Sequence, residues 1–121
     1  MADHNNLGVD GERAAIEYLC LNNYIILEKN WRYGRYEIDI IATDNESVIF
    51  AEVKTRRSGK WGNPEEAVSE AKIRRIVEAA DYYTRENDIS MSVRFDVISV
   101  LWNGRTFEIE HFDDAFLAPL S

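Results

Sequence analysis

Two apolar segments joined by a short polar turn constrain the fold of this chain most strongly. The segments EIDIIA and SVIFAEVK have the composition and spacing of β-strands, and Asn45-Glu46 stands between them as a two-residue turn. Ile41 and Phe50 fall on one face of the resulting hairpin. The other face carries a longer apolar set, namely Ile38, Ile40, Ala42, Ile49, Ala51 and Val53. Because both faces are apolar, we expect this hairpin to lie inside a sheet that is covered on both sides.

The flanking segments supply helices and further strands. Residues 10–22 place apolar side chains at helical spacing, and YIILEKNWR follows as a strand. A second helix is predicted from Pro64 to about Asn87, with Asn63 or Ser69 as its N-cap; Ser69 is favoured for the long continuous part. The strands VRFDVISVLW and RTFEIEHF are then joined at Asn103-Gly104, a pair typical of a type I′ hairpin.

The predicted element order is therefore αβββαββ. It indicates an α/β (α+β) protein in which helices flank a central mixed sheet. With 121 residues, we expect one domain, residues 1–121. The polar start has no signal-peptide pattern, and no apolar stretch is long enough to span a bilayer, so a cytoplasmic location without membrane contact is expected.

The charged residues of the hairpin indicate chemistry. Pairing the strands around Asn45-Glu46 places Asp39 across from Glu52 and Glu37 across from Lys54, all on one face. Like charges in directly opposed positions are destabilising unless something compensates them, and a divalent cation is a natural compensator. The alternative is a hairpin end open to solvent, with Glu37 and Lys54 forming a simple ion pair.

Two further charged residues stand on apolar helical stripes. Glu12 shares its stripe with Ala15, Ile16 and Leu19, and Lys72 lies four residues from both Val68 and Ile76. Both would point towards the sheet. Alternatively, Glu12 lies in a frayed first turn, and Lys72 extends its aliphatic stem along the core.

At Glu12, Asp39, Glu52 and Lys54 the chain resembles the PD-(D/E)XK restriction-endonuclease-like superfamily, with E-x-K read as Glu52-Val53-Lys54. The wider string is similar to the YraN-type family, an uncharacterised group similar to archaeal Holliday-junction resolvases. The matching pieces are LGVDGERAAIEYL, EKNWRYGRYEIDIIA, FAEVKTRRS, GNPEEAVSEAK and RFDVISV. The resemblance implies the superfamily's αβββαβ core, here with an extra C-terminal hairpin strand.

The resemblance also implies a Mg²⁺ or Mn²⁺ site formed by Asp39 and Glu52, with Glu12 nearby. Lys54 would orient or activate the water that attacks a DNA phosphodiester, in branched or recombination intermediates by analogy with resolvases. A homodimer would follow from the same analogy. Tyr36 departs from the family, which commonly has glycine before Glu-Ile-Asp, and a bulky side chain there would narrow the approach to the site.

Nucleic-acid binding has to be weighed against a net charge of −8. Basic residues nevertheless outnumber acidic ones between positions 29 and 60. The side chains expected to contact phosphate are Arg32, Arg35, Arg56, Arg57 and Lys72. Two alternatives remain: a nucleic-acid-binding or protein-interaction module without useful catalysis, which the acidic balance favours, and a hydrolase of small phosphoesters.

Overall fold

The computed structural model describes residues 7–57 and 68–115. Its elements are α1 (Leu7–Leu21), β1 (Ile25–Tyr33), β2 (Tyr36–Thr43), β3 (Ser47–Arg56), α2 (Glu70–Glu86), β4 (Ser92–Trp102) and β5 (Phe107–Phe112). The five strands form one sheet in the order β1-β2-β3-β4-β5. Among the pairings of these described strands, only β3–β4 is parallel. The predicted order αβββαββ and the mixed sheet are therefore confirmed.

The central hairpin has the register predicted from the sequence. Ile41 pairs with Phe50, and the ladder runs from Ile40–Ala51 to Thr43–Val48. The turn between the strands is closed by the Asp44 carboxylate, whose Oδ1 accepts the backbone N–H groups of the two residues that follow Asn45, at 2.9 and 2.8 Å. Asn45 adopts a left-handed conformation, with φ 76°, which asparagine tolerates better than most residues.

In the part of the chain that the structure describes, each face of the sheet carries one helix, and this explains why the central strands are apolar on both sides. On the face covered by α1, the buried residues form a core cluster that consists of Ala15, Leu19, Ile40, Ala42, Ile49, Ala51, Ile98 and Val100. The α2 face has the larger cluster, in which Phe50 and Phe95 pack against Ile76, Ala79, Ala80 and Tyr83. Burying a large apolar side chain contributes about 1.5–3 kcal/mol, so both faces stabilise the strands that position the charged residues.

The prediction for Ile38 is wrong. It was expected on the face opposite Phe50, but it is buried in the same core cluster as Phe50 and Ile41. The alternation of β2 breaks at Asp39, because Ile38 and Ile40 on either side of it belong to different core clusters. The neighbouring pairs of the β1–β2 ladder, Lys29–Ile40 and Trp31–Ile38, leave out Asp39 and also Asn30, which has a left-handed φ of 50°.

The helix ends differ from the predictions by a few residues. Helix α1 begins at Leu7 rather than near residue 10, so Glu12 lies in its second turn and not in a frayed first turn. Ser69 is the N-cap of α2, as favoured, and its Oγ accepts the Lys72 N–H at 3.1 Å. The predicted helical residues 64–67 lie outside the described residues. Within residues 7–57 and 68–115, no helix combines the length and the apolar character needed to cross a bilayer.

The β4–β5 hairpin turns one residue later than predicted. Its last pair is Trp102–Phe107, and the Asn103 N–H donates to the Thr106 carbonyl, which leaves Gly104 and Arg105 as the turn. Of these two, only Gly104 has a positive φ, at 97°. A positive φ at the first position alone is the pattern of a type II′ turn, because type I′ needs it at both.

Candidate active site

The central hairpin opens where the charged residues begin. The β2–β3 ladder ends at the pair Ile40–Ala51, so the next residues, Asp39 and Glu52, lie side by side beyond the last paired position. There the Asp39 Oδ2 accepts the backbone N–H of Val53 at 2.9 Å. A side-chain carboxylate thus takes the bond that a strand carbonyl would otherwise make.

A pocket of about 260 Å³ occupies this opening, and we call it the acidic pocket. It is lined by Arg35, Tyr36, Glu37, Asp39, Glu52, Lys72, Arg75 and Ile76. Four residues predicted from the sequence as site or phosphate-contact residues therefore meet in one pocket: Asp39, Glu52, Arg35 and Lys72. The two carboxylates line the same pocket, although neither residue belongs to the paired part of the β2–β3 ladder.

Glu52 is buried and ion-paired. Its carboxylate is only 7% exposed, and its Oε2 lies 2.5 Å from Lys72 Nζ. Lys72 reaches it from the first turn of α2, whose start is fixed by the Ser69 cap. The Lys72 ammonium therefore compensates the charge of Glu52, a role that was not predicted for it.

The surroundings of Asp39 strongly raise the pKa of its carboxyl group. Burial, and next the neighbouring charge of Glu52, raise the pKa of Asp39 from 3.8 to about 7. The Val53 N–H and the Lys72 charge act in the opposite direction and do not cancel the rise. A buried carboxylate that is costly to ionise is well suited to bind a cation, since a cation favours its charged form.

Glu12 approaches this centre from α1. Burial raises the pKa of Glu12, the charge of Asp39 raises it further, and a hydrogen bond with Asn30 partly offsets both. The helix comes close to β3 at Gly11, where a Cβ atom would lie 2.2 Å from Thr55 Oγ1. Nevertheless, the part of the chain that the structure describes contains no group of three acidic, histidine or cysteine side chains arranged to hold a metal ion.

The predicted pairing of Glu37 with Lys54 is not formed. Glu37 lies opposite Arg32 across the β1–β2 ladder, and the two side chains are ion-paired at 3.2 Å. The reason is the opening of the hairpin, since β2 and β3 no longer pair beyond Ile40–Ala51. Lys54 is exposed on β3, beside Ser99 of the parallel strand β4.

Comparison with known proteins assigns the family. Residues 11–100 match the family described as "Uncharacterised protein family UPF0102". A UPF0102 protein from Christiangramia forsetii is 46% identical over 116 residues, which cover 96% of this chain and 98% of the relative. Another from Bacteroides fragilis (strain YCH46) is 47% identical over 120 residues, or 99% of each chain. The chain belongs to the UPF0102 family.

A solved structure shows the same fold as this UPF0102 protein. It is Hjc of Archaeoglobus fulgidus, a Holliday junction resolvase from an archaeal hyperthermophile, and it matches with a TM-score of 0.56. The match covers 88% of the UPF0102 chain and 76% of the resolvase, at 16% sequence identity. At that identity the likeness concerns the fold, which is restriction-endonuclease-like, as predicted.

The arginines predicted to contact phosphate in the UPF0102 chain differ in their relation to the acidic pocket. Arg35 lines the pocket, whereas Arg32 is engaged with Glu37 at its edge. Arg56 ends β3 and Arg57 follows it, and both make interactions of their own. Sequence reasoning missed Arg75, an exposed residue of α2 that also lines the pocket. Its signal was helical spacing, since it lies one turn after Lys72.

Sequence reasoning also missed a buried polar cluster on the α1 side of the UPF0102 fold. Asp96 is fully buried and accepts two hydrogen bonds from Arg94, at 2.9 and 2.8 Å, and the N–H of Asp114 at 3.0 Å. His111 Nε2 lies 2.6 Å from Asp96, and its Nδ1 is hydrogen-bonded to Tyr18. Burial alone would raise the pKa of Asp96, but the bonds to His111 and Arg94 outweigh it and keep this pKa below its ordinary value. The cluster ties β4, β5 and α1 together.

Proposed function

We propose that the acidic pocket is the active centre of a divalent-metal-dependent endonuclease that hydrolyses DNA phosphodiesters. One observation carries the proposal: Asp39 and Glu52 converge in a pocket where burial and their mutual repulsion raise the pKa of Asp39 to about 7. Such an arrangement costs stability and has no evident structural benefit, which is typical of functional sites.

The donor set fits Mg²⁺ or Mn²⁺. Mg²⁺ is commonly bound through one or two carboxylates and completes its octahedral shell with water and substrate phosphate. Asp39 and Glu52 would provide the two carboxylates, and Glu12, which interacts electrostatically with Asp39, would be a further negative group near them. When bound, the ion would polarise a phosphoryl oxygen and lower the pKa of its water.

The basic residues would perform the other functions that hydrolysis requires. Lys54, the last residue of the E-x-K motif, would orient the attacking water and stabilise the negative charge that develops on the phosphate. Arg35 and Lys72, which line the pocket, would hold the phosphate. Arg32, Arg56 and Arg57 would contact phosphates further along the strand. These basic residues would supply the local positive charge that phosphate binding needs in a protein with a net charge of −8.

The fold likeness to a Holliday junction resolvase suggests branched or recombination intermediates as the DNA. A four-way junction needs two symmetric incisions, so the proposed enzyme would act as a homodimer.

One observation favours a second candidate, a binding module without catalysis. The Lys72 ammonium already compensates Glu52 at 2.5 Å, so that carboxylate does not need a metal ion. In this case the acidic pocket would serve only as part of a nucleic-acid or protein surface.

Cleavage assays separate the two candidates. Labelled four-way-junction, flap, single-stranded and duplex DNA are incubated with Mg²⁺ or Mn²⁺ and with wild-type, Asp39→Ala or Lys54→Ala protein. Asp113→Ala, which removes an exposed carboxylate outside the pocket, is the matched control. We expect the first two variants to lose at least about 100-fold in rate and the control to retain the wild-type rate.

Each outcome favours one candidate. Metal-dependent cleavage that both Asp39→Ala and Lys54→Ala lose supports the endonuclease. DNA binding without cleavage of any substrate supports the binding module. Turnover of a chromogenic phosphodiester without DNA affinity would instead indicate a hydrolase of small phosphoesters.

A further inference from the structure

A second pocket adjoins the acidic pocket, and we call it the aromatic pocket. It has a volume of about 450 Å³ and is lined by Tyr33, Gly34, Arg35, Tyr36, Arg75 and Glu78. Three of these residues, Arg35, Tyr36 and Arg75, also line the acidic pocket. The two pockets are therefore neighbouring parts of one surface, and a bound molecule that entered one could extend into the other.

The aromatic side chains that line this pocket are fixed by contacts with neighbouring residues. Tyr33 stacks on Tyr82 with ring centroids 3.9 Å apart and planes 14° from parallel. Trp31 lies almost parallel to Tyr33, at 6.4 Å. On the other wall, the Tyr36 hydroxyl donates to Glu78 at 3.3 Å. The two tyrosines that line the pocket thus form an angled wall, with centroids 6.0 Å apart and planes 53° apart.

This combination of groups matches the parts of a nucleotide. Aromatic side chains offer faces on which a nucleobase stacks, and arginines bind phosphate oxygens. Glu78 can accept hydrogen bonds from the amino or imino groups of a base. A volume of about 450 Å³ lies within the usual range for pockets that take small organic groups, which is about 300–1,000 Å³.

A pocket that binds a base by stacking also distinguishes unpaired bases from paired ones. In a duplex both faces of a base are covered by its neighbours, so no face is available to a tyrosine. Only a nucleotide that has left the stack can enter such a pocket.

We propose that the aromatic pocket binds the unpaired base of the nucleotide next to the phosphodiester held in the acidic pocket. Tyr36 and Tyr33 would stack on the base, while Arg35 and Arg75 would contact the adjoining phosphate. The inference rests on the proposed function, and it narrows the substrate class to DNA with an unpaired nucleotide at the position of cleavage.

Binding measurements test this inference independently of catalysis. The probes are three fluorescent duplexes: one with a single bulged thymidine, one with an abasic residue at the bulge, and one fully paired. Fluorescence anisotropy is measured in Ca²⁺, in place of Mg²⁺. We expect the wild-type protein to bind the thymidine bulge at least about fivefold more tightly than the abasic bulge, because stacking one base is worth about 1–3 kcal/mol.

Two pairs of variants test which residues bind the base and which bind the phosphate. Tyr36→Leu should abolish the preference for the base, whereas Tyr36→Phe keeps the ring and should retain it. Arg75→Ala should weaken binding of both bulged duplexes equally, since it removes a phosphate contact. Arg74→Ala makes the same change of charge on an exposed neighbour that is paired with Glu70, and should have a smaller effect.

The outcomes distinguish this inference from the proposed function. A base preference that Tyr36→Leu abolishes, in a protein that cleaves no DNA in Mg²⁺, would support the pocket and reject the endonuclease. Equal binding of the thymidine and abasic bulges, or no binding of any duplex, would overturn the inference whatever the cleavage assays show. A thermal melt shows whether Tyr36→Leu folds. If it does not, the test rests on the exposed positions Arg75→Ala and Arg74→Ala. Equal losses of affinity for the bulged duplexes in these two variants would reject the pocket.

Discussion

Asp39 lowers the stability of the metal-free protein, and its replacement by asparagine should reveal by how much. A rise in the pKa of Asp39 from 3.8 to about 7 means that folding becomes less favourable once this carboxyl ionises. The full penalty corresponds to at most about 4 kcal/mol, at 1.36 kcal/mol per pKa unit. Asparagine cannot ionise, and its side-chain carbonyl can still accept the Val53 N–H.

The sign of the pH dependence follows from the direction of the shift. Because the pKa of Asp39 is raised in the folded state, the contribution of this residue to stability is most favourable below pH 4 and is lost as the pH rises through 7. The advantage of Asp39→Asn over wild type should therefore grow by about 2–3 kcal/mol between pH 5 and pH 8.5. Comparing two pH values cancels any pH-independent effect of the substitution.

Urea denaturation in EDTA, followed by circular dichroism, measures this difference. Asp44→Asn is the control, because backbone N–H groups of Ser47 and Glu46 lower the pKa of Asp44. That carboxylate is ionised at both pH values, so Asp44→Asn should destabilise the protein at both, with no growth in between. An Asp39→Asn variant whose relative stability stays constant or falls from pH 5 to 8.5 would refute the electrostatic account of the acidic pocket.

Two further predictions concern packing and buried charge. Asp96→Asn should cost about 3–5 kcal/mol and lower the melting temperature by about 10 °C or more, because the half-buried Arg94 guanidinium loses its principal partner. Gly11→Ala should cost about 1–3 kcal/mol by overpacking, although alanine is the better helix former, because its Cβ would meet Thr55. Thermal melts check both, and adding Thr55→Ala to Gly11→Ala should restore most of the loss.

Each of these predictions has an outcome that contradicts it. For the buried cluster, Asp81→Asn breaks an exposed ion pair with Arg85 and should change stability by less than about 1 kcal/mol. Equal effects of Asp81→Asn and Asp96→Asn would mean that the buried cluster contributes little. For the helix contact, a Gly11→Ala protein as stable as wild type would mean that α1 shifts away from β3 without cost.

The sequence predicted the central hairpin well, because its apolar residues alternate on both faces. Only one register buries Ile41 and Phe50 together around a two-residue turn, and a slip by one residue would move every side chain to the other face. The neighbouring positions of Asp39 and Glu52 followed from the same register. The cap at Ser69 followed from its hydroxyl, which can satisfy a free N–H of the helix.

Other features depend on contacts between residues that are distant in the sequence, and local sequence patterns do not reveal these contacts. The break in alternation at Asp39 puts Ile38 into the other core cluster, and nothing in the spacing of β2 indicates this. The end of the β2–β3 ladder separates Glu37 from Lys54, and it reflects how the strands diverge in three dimensions. Arg75 enters the acidic pocket only because α2 crosses the sheet at that point.

The single parallel pairing has a consequence for the order in which the molecule folds. Strand β3 meets β4 with Ser47 opposite Ser92, so this pairing closes a long loop, while β1, β2 and β3 pair through short connections. Closing long loops is entropically costly, which makes contacts of this kind form late. The hairpin that carries Asp39 and Glu52 can therefore form before α2 packs on the sheet and brings the Lys72 ammonium to Glu52. During that interval the two carboxylates lack Lys72, and Arg35, which lies in the short connection between β1 and β2, is a pocket cation that is already near them.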